Sequence, residues 1–308
     1  MKYIRNTTDF YIEENTVISL GKFDGIHRGH ELLLEHFATK KEDGLAGVIF
    51  TFDIPPRKNV EKIEAKVLTT NEEKMHFFER LGIDYLVECP FTKEIMCMEA
   101  EDFIEKIVRQ LHVKCFVVGE DFHFGHNRRG DYKMLREQAK AYGYEVIVVK
   151  KMQEDERDIS STFVREEIAK GNIGKANHLL GYRYFVTGVI EHGNQIGRRI
   201  GIPTINQLPP EEKLLPPNGV YITEVFIDEQ KYRGITNVGC KPTIEGRNPI
   251  GVETHLLDFF GDVYDKVVTV EFINRVREER KFASIEELKE QMQNDIAYGR
   301  VYFSKNME

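Results

Sequence analysis

No apolar run in this chain approaches the roughly 18 residues that a membrane-spanning helix requires, so a transmembrane segment is not expected. Cysteine is sparse. Cys89, Cys97, Cys115 and Cys240 form no CxxC pair, so neither a zinc site nor a disulfide framework is indicated. Basic residues are in the minority, 43 Lys plus Arg against 51 Asp plus Glu, for a formal charge of −8. Such a balance disfavours non-specific binding to nucleic acid or an anionic membrane. Gly and Pro are near average abundance, which excludes collagen-like and low-complexity classes. Met1–Glu14 carries Arg5, Asp9, Glu13 and Glu14 with no apolar stretch, so it does not read as a signal peptide. Walker A and GxGxxG sequences are also absent. These absences leave a reduced, cytoplasmic protein. With 41% hydrophobic residues, the chain can bury a core. At roughly 150 residues per domain, its length suggests about two domains.

The first part alternates short apolar runs with helical patterns. Thr16–Leu20, Ala46–Phe52, Tyr85–Val87, Cys115–Val118 and Glu145–Val149 read as covered parallel strands. Helices are expected at Glu31–Ala38, Asn71–Leu81 (with a Thr70/Glu73 capping box), Glu99–Leu111 and Tyr132–Tyr142. Two more follow, Thr162–Lys170 and Lys175–Leu180, stopped by Gly171 and Gly181. From Tyr184 onward the pattern becomes short strands separated by turns, the signature of an antiparallel barrel or sandwich. They are expected at Tyr184–Ile190, Gly219–Ile227, Gly234–Val238, Val252–Phe259 and Val267–Phe272. A last helix, about Ile285–Ile296, opens with a Ser284/Glu287 box. The expected domains are 1–182 and 183–308.

Gly21-Lys-Phe-Asp-Gly-Ile-His-Arg-Gly-His30 lies between the first strand and its helix. Helix N-termini attract anions, and His27 and His30 lie on one face of the first turn. They could stabilise a phosphate in transfer or merely cap the helix. Val117–Asp131 gathers aromatics, glycines and Arg128–Arg129 into one loop after a strand. Ile159–Arg165 opens another helix, where Ser160, Ser161 and Thr162 could cap or bind phosphate and Arg165 could donate to the same anion. All three segments follow strands, so an α/β fold can bring them to one sheet edge.

These segments resemble those of the bacterial bifunctional riboflavin kinase/FAD synthetase family, whose N-terminal module is similar to other HxGH nucleotidyltransferases. Gly21, Phe23, Asp24, Gly25, His27, Gly29 and His30 match its first pattern. Gly119, Asp121, Phe122, Phe124 and Gly125 match the second, and Ile159, Ser160, Ser161, Thr162 and Arg165 the third. The resemblance implies adenylyl transfer from ATP to FMN, with His27 and His30 catalytic. Gly21, Phe23, Asp24, Gly25, Gly29, Ser161, Thr162 and Arg165 would bind nucleotide, and Asp121, Phe122, Phe124 and Asn127 would bind flavin. One departure is Phe52-Asp-Ile-Pro-Pro56, where the family has F-x-P-H-P: Ile54 replaces the first proline and Pro55 the histidine.

In the second part, Gly188–Asn206 is Gly-rich and ends in Pro-Thr-Ile-Asn. If Thr204–Asn206 is extended, Thr204 and Asn206 share a face and suit hard Mg²⁺; a simple turn into a strand is the alternative. Glu253, His255 and Leu257 alternate along a strand, where Glu253 would be a base or just a solvent-facing acid. Gly197-Arg, Gly201-Ile-Pro-Thr-x-Asn206, Gly219-Val-Tyr221, Asn237–Thr243 and Val252–Asp258 resemble the family's riboflavin kinase domain, a small β-barrel. The resemblance implies that Thr204 and Asn206 hold Mg-ATP, that Gly197 and Gly201 bind nucleotide, and that Glu253 activates the riboflavin 5′-hydroxyl. Asn274–Phe282, with Arg277, would close over flavin. Ile205 and Asp265 depart from the usual family residues.

The expected fold is therefore α/β plus β: a Rossmann-like HxGH nucleotidyltransferase domain with a parallel sheet, then a small antiparallel β-barrel with a terminal helix. The expected function is bifunctional, riboflavin to FMN and FMN to FAD, with Mg²⁺, ATP as co-substrate, and riboflavin, FMN and FAD as substrates or products. The expected partners are flavins and ATP, without nucleic acid or membrane; a homo-oligomer is left open. The alternatives are retention of one activity beside a flavin-binding module, or a non-catalytic flavin sensor. Glu253, Thr204, Asn206, His27 and His30 argue against the sensor, because a pure binder needs neither base nor metal ligands.

Overall fold

The Val- and Ile-rich runs of the first part form strands covered on both faces, except Glu145–Val149, which was expected to be covered but lies at the sheet edge and is only half-buried. A computed structural model describes residues 1–53, 66–192, 196–240 and 250–306. Ile54–Pro56, Gly193–Gln195 and Pro242–Thr243 of the matched motifs lie outside the described residues. The chain divides into two compact units, Met1–Ser161 and Thr162–Glu308.

In the first unit, β1 (Lys2–Arg5), β2 (Thr16–Leu20), β3 (Ala46–Asp53), β4 (Tyr85–Pro90), β5 (Val113–Gly119) and β8 (Glu145–Val149) make a six-stranded sheet in the order β1-β4-β3-β2-β5-β8. Every pairing is parallel. Helices α1 (Arg28–Glu42), α2 (Asn71–Arg80), the single-turn α3 (Lys93–Met96), α4 (Ala100–Gln110) and α5 (Tyr132–Tyr142) lie between them. Ile18, Val48, Phe50, Val87 and Phe116 bury one sheet face with α4 residues Phe103, Ile104 and Ile107. Val17, Ile49, Leu86, Cys115 and Val117 bury the other with Leu33, Phe37 and Phe78 of α1 and α2. This two-sided burial explains the unbroken apolar runs. The expected capping box is formed: Thr70 Oγ1 accepts from the Glu73 amide at 3.2 Å, and the Glu73 carboxylate accepts from the Thr70 amide at 2.9 Å. Edge strand β1 was not expected, because its Lys-Tyr-Ile-Arg sequence carries no apolar run. Two small antiparallel pairs complete the unit, β6 (His123–Phe124) with β7 (Gly130–Asp131) and β9 (Gln153–Glu154) with β10 (Arg157–Asp158).

The second unit opens with α6 (Ser161–Ala169) and α7 (Ile173–Leu180), where Gly181 ends α7 in the left-handed conformation. It continues with β11 (Phe185–Glu191), the short α8 (Ile196–Arg199), β12 (Ile205–Gln207), β13 (Gly219–Ile227), β14 (Gln230–Cys240), β15 (Ile250–Leu256) and β16 (Val267–Glu278). Their antiparallel pairings close a barrel in the order β11-β12-β15-β14-β13-β16. Thr223, Thr236 and Thr254 run a ladder of hydroxyl contacts through it at 2.7 and 2.8 Å. Helix α9 (Ile285–Lys305) seats Phe303 against Val220, Ile222, Ile235 and Leu257. It is longer than expected, because the stretch past Ile296 still buries Gly299 and Phe303. Its capping box is half formed. Ser284 Oγ accepts from the Glu287 amide, but Glu287 accepts from the Ala283 amide instead of Ser284. Strand β16 likewise runs six residues beyond the expected Phe272, so half of Asn274–Phe282 is barrel wall.

Candidate active sites

Strand β2 lies between β3 and β5, where the chain reverses its direction of progress across the sheet. Open parallel sheets bind ligands outside the carboxyl ends of their strands at such a switch point. The segment Gly21–Ile26 leaves β2 there and enters α1. His27 is the N-cap residue of α1, yet its side chain makes no capping hydrogen bond. The capping reading of this histidine therefore fails. The His27 and His30 rings instead stack, with centroids 3.9 Å apart and planes 25° from parallel. His27 is 7% exposed. Both Nδ1 atoms are buried and lack a hydrogen-bond partner among the described residues. Burial pushes the His27 pKa down to about 4, against the opposing pull of Asp24 and Asp121. Burial also drives His30 well below its ordinary value, helped by His27 and by the charge of Lys74. Two neutral imidazoles result, each able to donate one N–H and accept at the other nitrogen.

The loop is held from several sides. Asp24 accepts from the amides of Leu68 and Thr69 at 2.8 and 3.1 Å, and the Gly25 amide donates to Thr69 Oγ1 at 3.1 Å. Asp24 is thus spent on the loop that precedes α2. Phe23 packs against both His30 (5.0 Å) and Phe78 (5.6 Å). Gly25 has φ 84°, while non-glycine Phe23 and Ile26 sit at φ 46° and 34°. Left-handed φ at a β-branched residue is uncommon and costs energy that the surrounding bonds must offset. Gly21 faces the Phe23 ring, 3.2 Å from where a Cβ would stand. At Gly29 a Cβ would stand 3.1 Å from His27 Nδ1, so a side chain there would press on the stacked ring.

The second segment follows β5, the neighbour of β2. Phe122 stacks on buried Phe124 at 5.4 Å, and Phe124 packs on Phe103. Asp121 pairs with Lys151 at 3.2 Å and lies close enough to act on the His27 charge. Asn127 is exposed and left-handed, with φ 54°. Gly125 admits no side chain, since a Cβ would come within 2.7 Å of the Ala100 backbone. From the third segment, Ser161 Oγ donates to the Asp24 carbonyl at 2.7 Å, so the first and third segments do meet. Thr162 is exposed and Arg165 half-buried on α6, most of which packs with the second unit. Lys74, on α2, is buried, and its charge opposes protonation of His30.

In the barrel, β12 pairs with β15 so that Asn206 lies opposite Glu253, and β14 puts Asn237 on the other side of Glu253. Residues paired in this way point to one face. Val252, Thr254 and Leu256 take the buried face, leaving Glu253 and His255 on the other. Leu257, expected on the Glu253 face, lies just past the strand and is buried beneath α9. Thr204 Oγ1 donates to Glu253 Oε1 at 2.6 Å. Glu253 is therefore half-buried and engaged, not a lone surface acid. Gly201 has φ 82°. Gly197 packs directly under the Ile202 carbonyl, with Thr204 Oγ1 3.1 Å from where a Cβ would be. Arg277 is bidentate to buried Asp295, Nε to Oδ1 at 3.0 Å and Nη2 to Oδ2 at 2.7 Å, and ties β16 to α9.

A parallel sheet with an HxGH pair at its switch point defines an α/β nucleotidyltransferase-like unit, here joined in one chain to a closed β-barrel bearing a Thr-Asn-Glu cluster. Family models for FAD synthetase and riboflavin kinase match residues 10–163 and 180–303. Proteins named bifunctional riboflavin kinase/FMN adenylyltransferase are similar over most of their length. The one from Escherichia coli K12 is 34% identical, covering 94% of each chain. The one from Bacillus subtilis is 32% identical over 95% of this chain and 94% of its own. A Streptococcus pneumoniae crystal structure described as a macrolide-efflux protein superposes with a TM-score of 0.86 at 30% identity, over 97% of this chain and 98% of that one. No helix among the described residues is long and apolar enough to cross a membrane. The chain belongs to the bifunctional riboflavin kinase/FMN adenylyltransferase family.

Proposed function

We propose that this chain makes FMN from riboflavin and FAD from FMN, using one ATP at each step. The observation that supports the reading is the stacked His27–His30 pair in the first unit together with the Thr204–Glu253 hydrogen bond in the second. Adenylyl transfer is assigned to 1–182 and phosphorylation to 183–308.

In adenylyl transfer, an FMN phosphate oxygen attacks the α-phosphorus of ATP and the bond to the β-phosphate bridge oxygen breaks, releasing pyrophosphate. Because His27 and His30 are neutral, they donate N–H bonds to phosphate oxygens without first taking up a proton. Such fixed donors stabilise charge as it develops. Phe122 and Phe124 offer a stacked aromatic pair beside the site for the isoalloxazine ring. In the barrel, Glu253 accepts the 5′-hydroxyl proton as that oxygen attacks the γ-phosphorus, and ADP leaves. Thr204 already spends its proton on Glu253, so its lone pairs remain for a cation, and Asn206 pairs opposite Glu253 on the next strand. These hard oxygens suit Mg²⁺, which supplies charge neutralisation on the transferring phosphoryl group. Arg277 acts here by anchoring the wall beside the flavin. The proposed setting is the cytoplasm, where ATP is available.

Chromatography of flavins after incubation with riboflavin, ATP and Mg²⁺ tests the reading. Both FMN and FAD are expected. FMN without FAD, even when FMN is supplied directly, would leave only the kinase.

A further inference from the structure

Strand β15 sends two side chains from its Glu253 face to the segment that enters β12. Glu253 accepts from Thr204 Oγ1 at 2.6 Å, and His255 Nδ1 lies 2.8 Å from the Pro203 carbonyl oxygen. A carbonyl oxygen only accepts, so Nδ1 carries the proton of this bond and the tautomer of the neutral ring is set. The backbone ladder between β12 and β15 starts at Ile205, opposite Thr254. Pro203 and Thr204 therefore lie before the ladder and are tied to β15 by these two side-chain bonds.

Upstream, the chain arrives through a closed turn. The Ile202 amide donates to the Gly197 carbonyl at 2.8 Å, and Gly201 is left-handed at φ 82°. Ile202 is buried, and Thr204 Oγ1 stands 3.1 Å from the place of a Gly197 Cβ, so the turn also packs on Thr204. Between turn and ladder, the orientation of the Pro203–Thr204 peptide has to be set. That unit is planar, so a bond that fixes the Pro203 carbonyl also fixes the direction in which Thr204 leaves it. Thr204 is β-branched and stiff at χ1, so its backbone direction largely decides where Oγ1 stands.

We infer that His255 is a positioning residue of riboflavin phosphorylation: its Nδ1–H bond to the Pro203 carbonyl aims the Thr204 hydroxyl at Glu253 and at the cation and phosphates the two residues serve. It acts through Thr204 and not on the reacting atoms. This rests on the assignment of phosphorylation to the barrel unit.

The test uses the full chain with riboflavin, ATP and Mg²⁺. His255→Leu removes the donor and should lower kcat for FMN formation roughly 10²-fold, the cost of a displacement of about 1 Å at a reacting group. The Mg²⁺ concentration giving half-maximal rate should rise, while KM for riboflavin stays unchanged, because the ground-state flavin contacts are kept. FAD formation from supplied FMN by the same preparation should be unaffected. His255→Asn places an amide N–H where Nδ1–H stood and should restore most of kcat. In a Thr204→Ala background, His255→Leu should cost little further, since groups that act as a unit are not additive. Should His255→Leu fail to fold, His255→Gln, whose amide matches the Nε2 position instead, takes its place in each comparison. In ¹⁵N-histidine-labelled wild type, His255 should be protonated at Nδ1. Wild-type kcat in a folded His255→Leu protein, an Asn variant as slow as the Leu variant, a fully additive loss with Thr204→Ala, or a His255 protonated at Nε2 alone overturns the inference. If the wild type makes no FMN at all, the assigned reaction fails, while the ¹⁵N spectrum still reports the His255 bond.

Discussion

The two candidate sites of this chain are assembled in opposite ways. The first is local: His27 and His30 are three residues apart in one helical turn, and burial sets their chemistry by keeping both rings neutral. The second is long-range: Thr204 and Glu253 are 49 residues apart and meet because β12 and β15 pair in one register. The face with Glu253 looks away from the buried Val252–Thr254–Leu256 row. A local motif can therefore be recognised before the fold is known, but its reactivity depends on what the fold buries around it. A register-built site shows the reverse: each residue is chemically ordinary, and the pairing makes it a site.

The sharpest way to break this comparison is to disable one site and watch the other. Glu253→Gln keeps the shape but cannot accept a proton, and should reduce riboflavin phosphorylation about 10²–10⁴-fold. FAD formation from supplied FMN should be unaffected. An undiminished FMN rate would place the base elsewhere. Conversely, His30→Ala should lower FAD formation from supplied FMN roughly 10²–10³-fold while riboflavin phosphorylation persists. Equal FAD rates in variant and wild type would make the HxGH turn structural only.

Stability should separate the units too. Asp295→Ala strands Arg277 in a half-buried position and frees α9 from β16. Breaking a buried pair on one side costs about 3 kcal/mol, here expected in the barrel transition on urea unfolding, with the transition of the parallel-sheet unit unmoved. Equal loss in both transitions would show that the units do not unfold separately.

The smallest effect is a pH slope. The folded-state pKa of His27, about 4, lies below its ordinary value of 6.5. Above pH 6.5 neither state binds the proton, so His27 contributes nothing to pH dependence. As pH falls below 6.5 the unfolded chain takes up a proton that the folded one refuses, and stability falls. At 1.36 kcal/mol per unit, lowering pH from 6.5 to 5 should cost about 2 kcal/mol, with His30 acting in the same direction. Glu167, held low by Lys170 and Asn172, also loses stability on acidification, but only near and below its ordinary 4.5. Unfolding free energies at pH 7 and 5 for wild type and His27→Gln check this; the variant should be flatter, and identical slopes would refute the buried-imidazole account.

Much of this was legible in the residues. The Val- and Ile-rich runs of β2 to β5 announced covered parallel strands because such strands are apolar on both faces, whereas β8, just as apolar, lies at the sheet edge and is only half-buried. The Thr70/Glu73 box and the Gly181 stop were read correctly because caps are local hydrogen-bond chemistry. The spacing of Gly21–His30 left capping and phosphate binding both open, and the candidate site emerged from the resemblance of three separate segments to one family. Other features had no local signal. Edge strand β1 has polar ends and exists because β4 offers it a pairing edge. The continuation of α9 to Lys305 depends on Phe303 finding Val220 and Ile222 on the barrel. Tertiary structure alone decided that Asp24 holds the loop before α2, that Arg277 is committed to Asp295, and that Lys74 is buried. The reason is physical: short-range sterics and hydrogen bonding are encoded within a few residues, whereas burial, register and the charge a side chain feels depend on segments that only folding brings together.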